Sequence, residues 1–298
     1  MKWLFAPGLF SSGPVLQAAV VGVVVAVACA PVGVFTVARG QSFAGHAFAD
    51  IASTGGSAAA LFGFSPLLGF LGMALAGASA TEALSAPGAH ARDRDLVTGT
   101  VFGAALGLSA LLLYLQSTEQ STGGTVVSVL FGSLFVVGPE TWPLVVPAAT
   151  LALVASAVLY RPLLLATISS ELAVARRVRL RWMSAAHSAV LATCVALSAV
   201  TIGAVLSTAL LVGPAAVGSR LGRTPPQAIA WAAATGAGCT LAGIWLAYDS
   251  YEWPPRGQGW PVSFFVVTLV VAAYGASRMY RPKLRAPRLG GHPLEDRG

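Results

Sequence analysis

The sequence carries little charge. Only 10% of its 298 residues are Asp, Glu, Lys or Arg, 56% are hydrophobic, and the mean hydropathy is +0.75. A soluble domain has about 25% charged residues, so a fold surrounded by water is excluded. In lipid, long apolar segments satisfy their backbone polar groups as helices. We therefore predict an all-α, polytopic integral membrane bundle that forms one domain over residues 1–280.

Cysteine is also scarce, and so are the residue patterns of enzymes. Cys29, Cys194 and Cys239 lie in apolar stretches without a Cys-x-x-Cys pair, which argues against a disulfide framework. There is no Walker-type glycine-rich loop and no nucleophile with a His and an acid at useful spacing. We expect no enzymatic activity and no permanently bound cofactor. If ATP drives the protein, a separate subunit hydrolyses it.

The basic residues exceed the acidic ones by seven, 18 against 11. A nucleic-acid-binding protein can show such an excess, but here the basic residues stand in short patches between apolar runs. The positive-inside rule predicts this distribution for a membrane protein, and no nucleic-acid partner is expected. The patches are Arg39, Arg92/Arg94, Arg161 to Arg181, Arg220/Arg223 and Arg278 to Arg288.

Apolar runs of bilayer length predict about nine transmembrane helices. The predicted spans are 14–38, 42–61, 66–84, 96–115, 141–159, 184–201, 203–219, 227–247 and 261–279. Two spans lie between successive basic patches, so the N-terminus is predicted outside and the C-terminus inside. The loops 116–124 and 249–260 would then be external, with Asp249 in the second loop.

Three segments need separate treatment. The region 184–219 is too long for one span, and we split it near Thr201–Gly203 into a tight hairpin. Residues 125–138 are apolar but short, as in a half-helix or re-entrant segment. Residues 15–28 resemble a signal peptide, but the apolar run continues to Arg39, so a retained span is expected.

Asp50 is the one carboxylate that the sequence places well inside a hydrophobic stretch, and His46 stands four residues before it. An ionisable residue in the bilayer is costly and is a functional-site candidate. The i, i+4 spacing puts both side chains on one helix face, and Asp50 lies about 16 Å beyond Arg39, near the midplane. Imidazole plus carboxylate suits a divalent transition metal. Two copies around a twofold axis would supply the four ligands that zinc requires.

The segment 161–183 is predicted to be the long cytosolic loop. Ser169-Ser170 followed by Glu171 has the pattern of a helix start, and four arginines follow. A short amphipathic basic helix can lie on the membrane or dock into the groove of a partner. The residues alone favour neither alternative.

The remaining histidines and two glutamates are expected to have no specific functional role. His187 is expected to pack at the membrane interface, whereas His90 and His292 are expected in exposed loops. Glu82 and Glu140 are placed at span ends, where exposure costs little. Four aromatic residues predict an external belt: Tyr248, Tyr251, Trp253 and Trp260. Residues 281–298 are expected to form a flexible basic cytosolic tail near anionic lipid.

Several motifs occur in the order and at the spacing of a known family, which they resemble, and together they cover roughly residues 15–280. The motifs are Arg39, Ser42, Gly45, Ala47 and Gly55; Asp95-x-x-x-Gly99-x-x-Phe102; Leu130-Phe131-Gly132-x-Leu134; Glu171-x-Ala173; Gly203-Ala204-Val205-Leu206; Leu211-Val212-Gly213-Pro214-Ala215-Ala216; and Asp249 followed by Pro254. The chain thereby resembles the permease subunits of bacterial zinc, manganese and iron ABC importers.

The resemblance implies a set of partners. It implies a second permease copy, cytosolic ABC ATPase subunits that grip the 161–181 loop, and an extracytoplasmic metal-binding protein, all at the bacterial plasma membrane. Glu171, Arg176 and Arg177 are the expected coupling contacts. Family members typically have Asp at the position of His46 and His at that of Asp50, so the two ligand types are interchanged here and the choice of metal stays open.

The sequence is compatible with two other functions. An ion-coupled secondary carrier would use His46 and Asp50 as titrating groups without any ATPase. A membrane scaffold would keep them as a hydrogen-bonded structural pair. The cytosolic amphipathic segment favours the ATP-driven importer, because a secondary carrier does not need one.

Overall fold

The computed structural model describes residues 13–85, 91–119, 142–253 and 259–279, and within these ranges the regular structure is entirely helical. The elements in chain order are α1 (Gly13–Ala38), α2 (Ser42–Phe62), α3 (Pro66–Leu84), α4 (Ala91–Glu119), α5 (Trp142–Ile168), α6 (Ser170–Ala175), α7 (Leu180–Ile202), α8 (Ala204–Leu221), α9 (Pro225–Asp249), a 3₁₀ turn (Ser250–Glu252) and α10 (Val262–Met279). The all-α prediction is confirmed for these residues.

Seven of the described helices are long and apolar enough to cross a membrane: α1, α3, α4, α5, α7, α9 and α10. The helix α8 contributes a shorter apolar stretch, Leu206–Leu221. The helix α2 is 21 residues long but contains His46, Asp50 and several small polar residues. The polytopic helical membrane protein is confirmed, whereas the total of nine spans and the direction of the termini stay predictions.

The bundle is built around α1 and α7, which are the most buried of these seven helices, while α4 and α5 are the most exposed. Cys29 on α1 and Cys194 on α7 are free thiols in this core. The Cys29 thiol donates to the Cys194 carbonyl oxygen at 3.5 Å. Both act as small packing residues, as their apolar surroundings predicted.

The predicted division of 184–219 is confirmed. The helix α7 ends at Ile202 and α8 begins at Ala204, so the single residue Gly203 connects them. Its φ of 90° lies in the left-handed region, which a side chain rarely tolerates. The two helices pack against each other, and both pack against α1 and α2.

Glycines allow the closest helix contacts. A Cβ added to Gly55 on α2 would lie 1.9 Å from the carbonyl oxygen of Gly69 on α3, and one added to Gly69 would lie 2.2 Å from the carbonyl oxygen of Gly55. The backbones of α2 and α3 therefore touch where neither has a side chain. Small residues serve this purpose in membrane bundles, where lipid supplies no hydrophobic drive between helices.

Gly69→Ala is expected to destabilise the bundle by about 2 kcal/mol, since the new methyl group meets backbone that cannot move away cheaply. The matched control is Gly72→Ala, one turn later on the same helix, where an added Cβ has no neighbour within 4 Å. Thermal unfolding of the two purified variants measures the difference. Equal melting temperatures would contradict the close contact, because both substitutions gain the same helix propensity.

Candidate functional site

The helix α2 carries the predicted metal-ligating pair. Gly40 and Gly63 border the helix with φ values of 68° and 74°, so each end turns through a conformation that glycine favours. His46 and Asp50 stand one turn apart on the same face, with His46 Nε2 3.5 Å from Asp50 Oδ2. The structure therefore brings the predicted pair together.

The pair is open on one side. The His46 side chain is 48% exposed in the single chain, and the Asp50 side chain is 17% exposed. The 3.5 Å separation is longer than a well-formed N–H···O hydrogen bond, which measures 2.7–3.2 Å. The two groups are thus not sealed among apolar neighbours, and their free lone pairs can reach a third species.

Thr208 on α8 is a third polar group at this place, and the sequence pattern did not predict it. Its Oγ1 lies 3.2 Å from Nδ1 of His46. Because Nδ1 is occupied there, the imidazole turns Nε2 toward Asp50, the arrangement in which a neighbouring group orients a ligating histidine. Phe102 on α4 lies beside the ring, with centroids 6.3 Å apart. The only sequence signal was the polar step Ser207-Thr208 inside an apolar run.

One chain supplies only two metal-ligand side chains here. Among the described residues, no group of three or more His, Cys, Asp or Glu side chains could hold a metal ion. A divalent transition metal bound by this pair needs further ligands, from water or from a second copy.

A second polar cluster lies where α3, α4 and α7 meet, and it corrects the prediction for Glu82. Glu82 is largely buried, and its Oε2 accepts from Arg94 Nη2 at 2.6 Å. Ser188 donates to Oε1 at 2.8 Å, and Ser184 donates to the same atom at 3.2 Å. This carboxylate is stable at a span end because three protein groups donate hydrogen bonds to it, and not because it is exposed to solvent.

This cluster lies directly beside the predicted coupling segment. Ser184 is the fifth residue of α7, and the segment that precedes α7 carries Arg176 and Arg177. Ser184 also accepts from Arg94 Nη1 at 2.6 Å. The start of α7 is therefore joined by hydrogen bonds to both α3 and α4.

Two further polar residues are buried, and one of them, Asp249, was predicted to lie in an external loop. His187 is 2% exposed inside α7, with Nε2 3.5 Å from Thr36 Oγ1, so it packs within the bundle, and its position at the membrane interface stays a prediction. Asp249 is the last residue of α9 and is 1% exposed, so it does not belong to a solvated loop. Thr36, the polar neighbour of His187, belongs to the sequence-distant helix α1, which the local pattern does not report.

The aromatic residues that follow the C-terminal end of α9 differ in exposure. Tyr251 and Trp260 are exposed, whereas Trp253 is half-buried and packs against the core. Trp260 stacks on Phe265 of α10, with ring centroids 6.1 Å apart. These rings therefore help to hold α9 to α10, and their placement in a membrane belt stays a prediction.

The segment between α5 and α7 begins as the sequence predicts. Ser169 caps α6 and accepts from the backbone N–H of Leu172 at 3.3 Å. The predicted basic helix is shorter than expected, because α6 ends at Ala175 and the arginines follow it. Arg177 has a φ of 58°, which turns the chain away from the helix axis. Glu171, Arg176 and Arg177 are all exposed.

Several predicted features lie outside the described residues. They are His90, Glu140 and His292, the short segment 125–138 and the tail 281–298.

The fold is that of a polytopic helical membrane protein, and its helix α2 carries an imidazole and a carboxylate on one face. The family model for the ABC 3 transport family matches residues 13–273, and the chain belongs to that family. It is a permease subunit of a metal-type ABC transporter and a multi-pass protein of the cytoplasmic membrane. It is not itself an enzyme, since ATP hydrolysis belongs to a separate subunit.

Individual relatives agree with this assignment. The chain is 26% identical over 248 residues to the manganese transport system membrane protein MntC of Halalkalibacterium halodurans, covering 82% of this chain and 83% of the relative. It is 26% identical over 237 residues to the high-affinity zinc uptake system membrane protein ZnuB of Haemophilus influenzae, covering 78% and 88%. The fold is similar to PsaBC from Streptococcus pneumoniae in complex with Fab, with a TM-score of 0.77 at 19% identity and coverage of 93% and 95%.

Proposed function

We propose that two copies of this chain form the pathway of an ATP-driven importer of a divalent metal ion, and that His46 and Asp50 of each copy contact the ion in transit. The observation that carries the proposal is the open His46–Asp50 pair on α2. Two copies would place two imidazoles and two carboxylates around one ion, enough for a four-coordinate site. Modest affinity suits a transit site, because the ion must leave again.

Manganese and zinc are the favoured cargoes. The names of the relatives MntC and ZnuB specify these two metals, and iron was the third candidate from the sequence. One imidazole and one carboxylate per chain suit either metal, since nitrogen ligands favour zinc and oxygen ligands favour manganese. A secondary carrier without an ATPase is not favoured, because the chain belongs to an ABC transport family.

We place the arginine-rich end of the bundle in the cytosol, with nine spans, the N-terminus outside and the C-terminus inside. Arg39 and Arg94 come from different basic patches and line one cavity. Arg181, from a third patch, lines a second cavity, which also borders Glu82. Three predicted internal patches therefore meet at one end, which supports the positive-inside assignment. An extracytoplasmic binding protein would deliver the ion at the opposite end.

The exposed segment around α6 is proposed as the contact for the ATPase. Glu171, Arg176 and Arg177 are exposed there, and Leu172 and Val174 are apolar side chains that are 55% and 59% exposed. Exposed apolar residues among charges are typical of a surface that a partner covers.

Reversing the charge of this segment tests the proposal. Glu171→Lys, Arg176→Glu and Arg177→Glu are each expected to reduce ATPase activity stimulated by the permease by about tenfold, a loss of about 1.4 kcal/mol of contact energy. The measurement is ATP hydrolysis by the complex reconstituted in lipid. The matched control is Arg223→Glu, an exposed arginine in the connection between α8 and α9. Unchanged stimulation in all three variants would contradict the coupling role.

A further inference from the structure

A polar cavity of about 220 Å³ lies at the arginine-rich end, where the end of α1 meets α2, α3, α4 and α7. Its polar lining consists of Arg39, Gln41, Thr81, Glu82, Arg94, Asp95, Thr98 and Ser188. His46 and Asp50 do not line it. The cavity is therefore distinct from the proposed ion pathway contact.

Arg39 lines this cavity and carries hydrogen-bond donors that no described group uses. Its Nε and Nη1 atoms are buried and have no hydrogen-bond partner in the described part of the protein, and the same is true of Thr81 Oγ1. A buried charged donor that makes no hydrogen bond destabilises the fold by the full free energy of its desolvation. The described side chains supply no acceptor for these donors.

Glu82 is the carboxylate that could accept from Arg39, but it already accepts from other groups. Glu82 accepts from Arg94, Ser184 and Ser188, so it does not neutralise Arg39 by direct contact. Burial lowers the pKa of Arg39, and repulsion from Arg94 lowers this pKa further, against the opposing attraction of Glu82. The surroundings of Arg39 thus favour an added negative charge.

The first turn of α2 also favours an anion in this cavity. The helix begins at Ser42, its N-cap residue Gln41 makes no side-chain capping hydrogen bond, and both Gln41 and Ala44 line the cavity. The N-terminal backbone N–H groups and the helix dipole together attract anions. Asp95 is the opposing group: it is exposed and lines the cavity.

We propose that this cavity binds a phosphate oxyanion through Arg39, Arg94 and the first turn of α2. Donors that converge from three elements suit a tetrahedral oxyanion, and guanidinium groups match phosphate oxygens in pairs. The volume corresponds to about seven water molecules, enough for one such anion with some water. The phosphate belongs either to an anionic phospholipid headgroup at the cytosolic surface or to free inorganic phosphate.

Two arms of one experiment separate these sources, with the full-length permease in nanodiscs. In discs of phosphatidylcholine, inorganic phosphate is titrated and binding is followed by thermal unfolding. In discs that contain phosphatidylglycerol, native mass spectrometry counts the retained anionic lipid. Binding in the first arm assigns free phosphate, and retention in the second assigns the headgroup; either result supports the site.

The variants make the test specific. Arg39→Gln is expected to weaken binding by about ten- to a hundredfold, the effect of losing hydrogen bonds to a charged group. Asp95→Asn should strengthen binding several-fold by removing the opposing charge, and Arg223→Gln, which loses the same charge outside the cavity, should leave it unchanged. The proposal is overturned if neither probe binds, or if wild type and Arg39→Gln bind equally. Should Arg39→Gln fail to fold, an Asp95→Asn variant with no gain in affinity overturns it.

Discussion

Replacing Asp50 with Ala is expected to reduce metal uptake by at least about a hundredfold while the permease remains folded. Mutating groups that merely orient a metal ligand costs ten- to a hundredfold, so losing a ligand from both copies costs no less. The fold should survive, because the one described ion-pair partner of Asp50 is His46, which is half-exposed and can be hydrated when the carboxylate is removed. Uptake of radioactive manganese and zinc into cells or proteoliposomes measures the effect.

Two controls make the Asp50 result interpretable. Asp93→Asn removes an exposed acid from the first turn of α4 and should leave uptake within about twofold of wild type. The double variant His46→Asp with Asp50→His restores the order typical of the family and keeps both ligand types on one face, so it should retain uptake. Normal uptake by the folded Asp50→Ala variant would refute the transit site and leave the pair a structural feature.

Replacing Glu82 with Ala is expected to lower the free energy of unfolding by about 3 kcal/mol. The change leaves the Arg94 guanidinium without its counter-charge and removes the acceptor of Ser184 and Ser188. Breaking a buried ion pair by removing one partner costs about 3–5 kcal/mol. The side-chain exposures of 13% for Glu82 and 24% for Arg94 place the loss at the lower end. Denaturant or thermal unfolding in detergent gives the value.

A double-mutant cycle shows whether the ion pair causes the loss. Arg94→Met combined with Glu82→Met removes both charges, so it should cost less than the sum of the two single changes. Asp93→Ala, at an exposed acid close to Arg94 in the sequence, should change stability by less than about 0.5 kcal/mol. Additive losses in the cycle would mean that Glu82 and Arg94 act independently.

The amino-acid pattern predicted the membrane helices well because hydropathy over a span is a local property. The cap of α6 at Ser169 and the break at Gly203 were also predicted, since caps and glycine turns depend on neighbours in the chain. The pairing of His46 with Asp50 followed from helical spacing alone. The assignment to a family of metal-type permeases came from ordered motifs that single positions do not specify.

The predictions that failed concerned polar side chains whose partners are distant in the chain. Glu82 is 12 residues from Arg94 but 102 and 106 residues from its serine donors. Thr208 lies 162 residues after His46, and His187 lies 151 residues after Thr36. A sequence window reports how apolar a stretch is, but not which helix packs against it. Glu82 and Asp249 were therefore expected to be more exposed than they are.

The sequence by itself determined that this chain folds in lipid as helices and that α2 carries an imidazole and a carboxylate on one face, because both follow from composition and from 3.6 residues per turn. Only the tertiary structure decided that Thr208 contacts His46 and that three groups donate hydrogen bonds to Glu82. It also decided that Arg39 lines a polar cavity and has donors without a described partner. These contacts join side chains on different helices, so they exist only after the helices have packed.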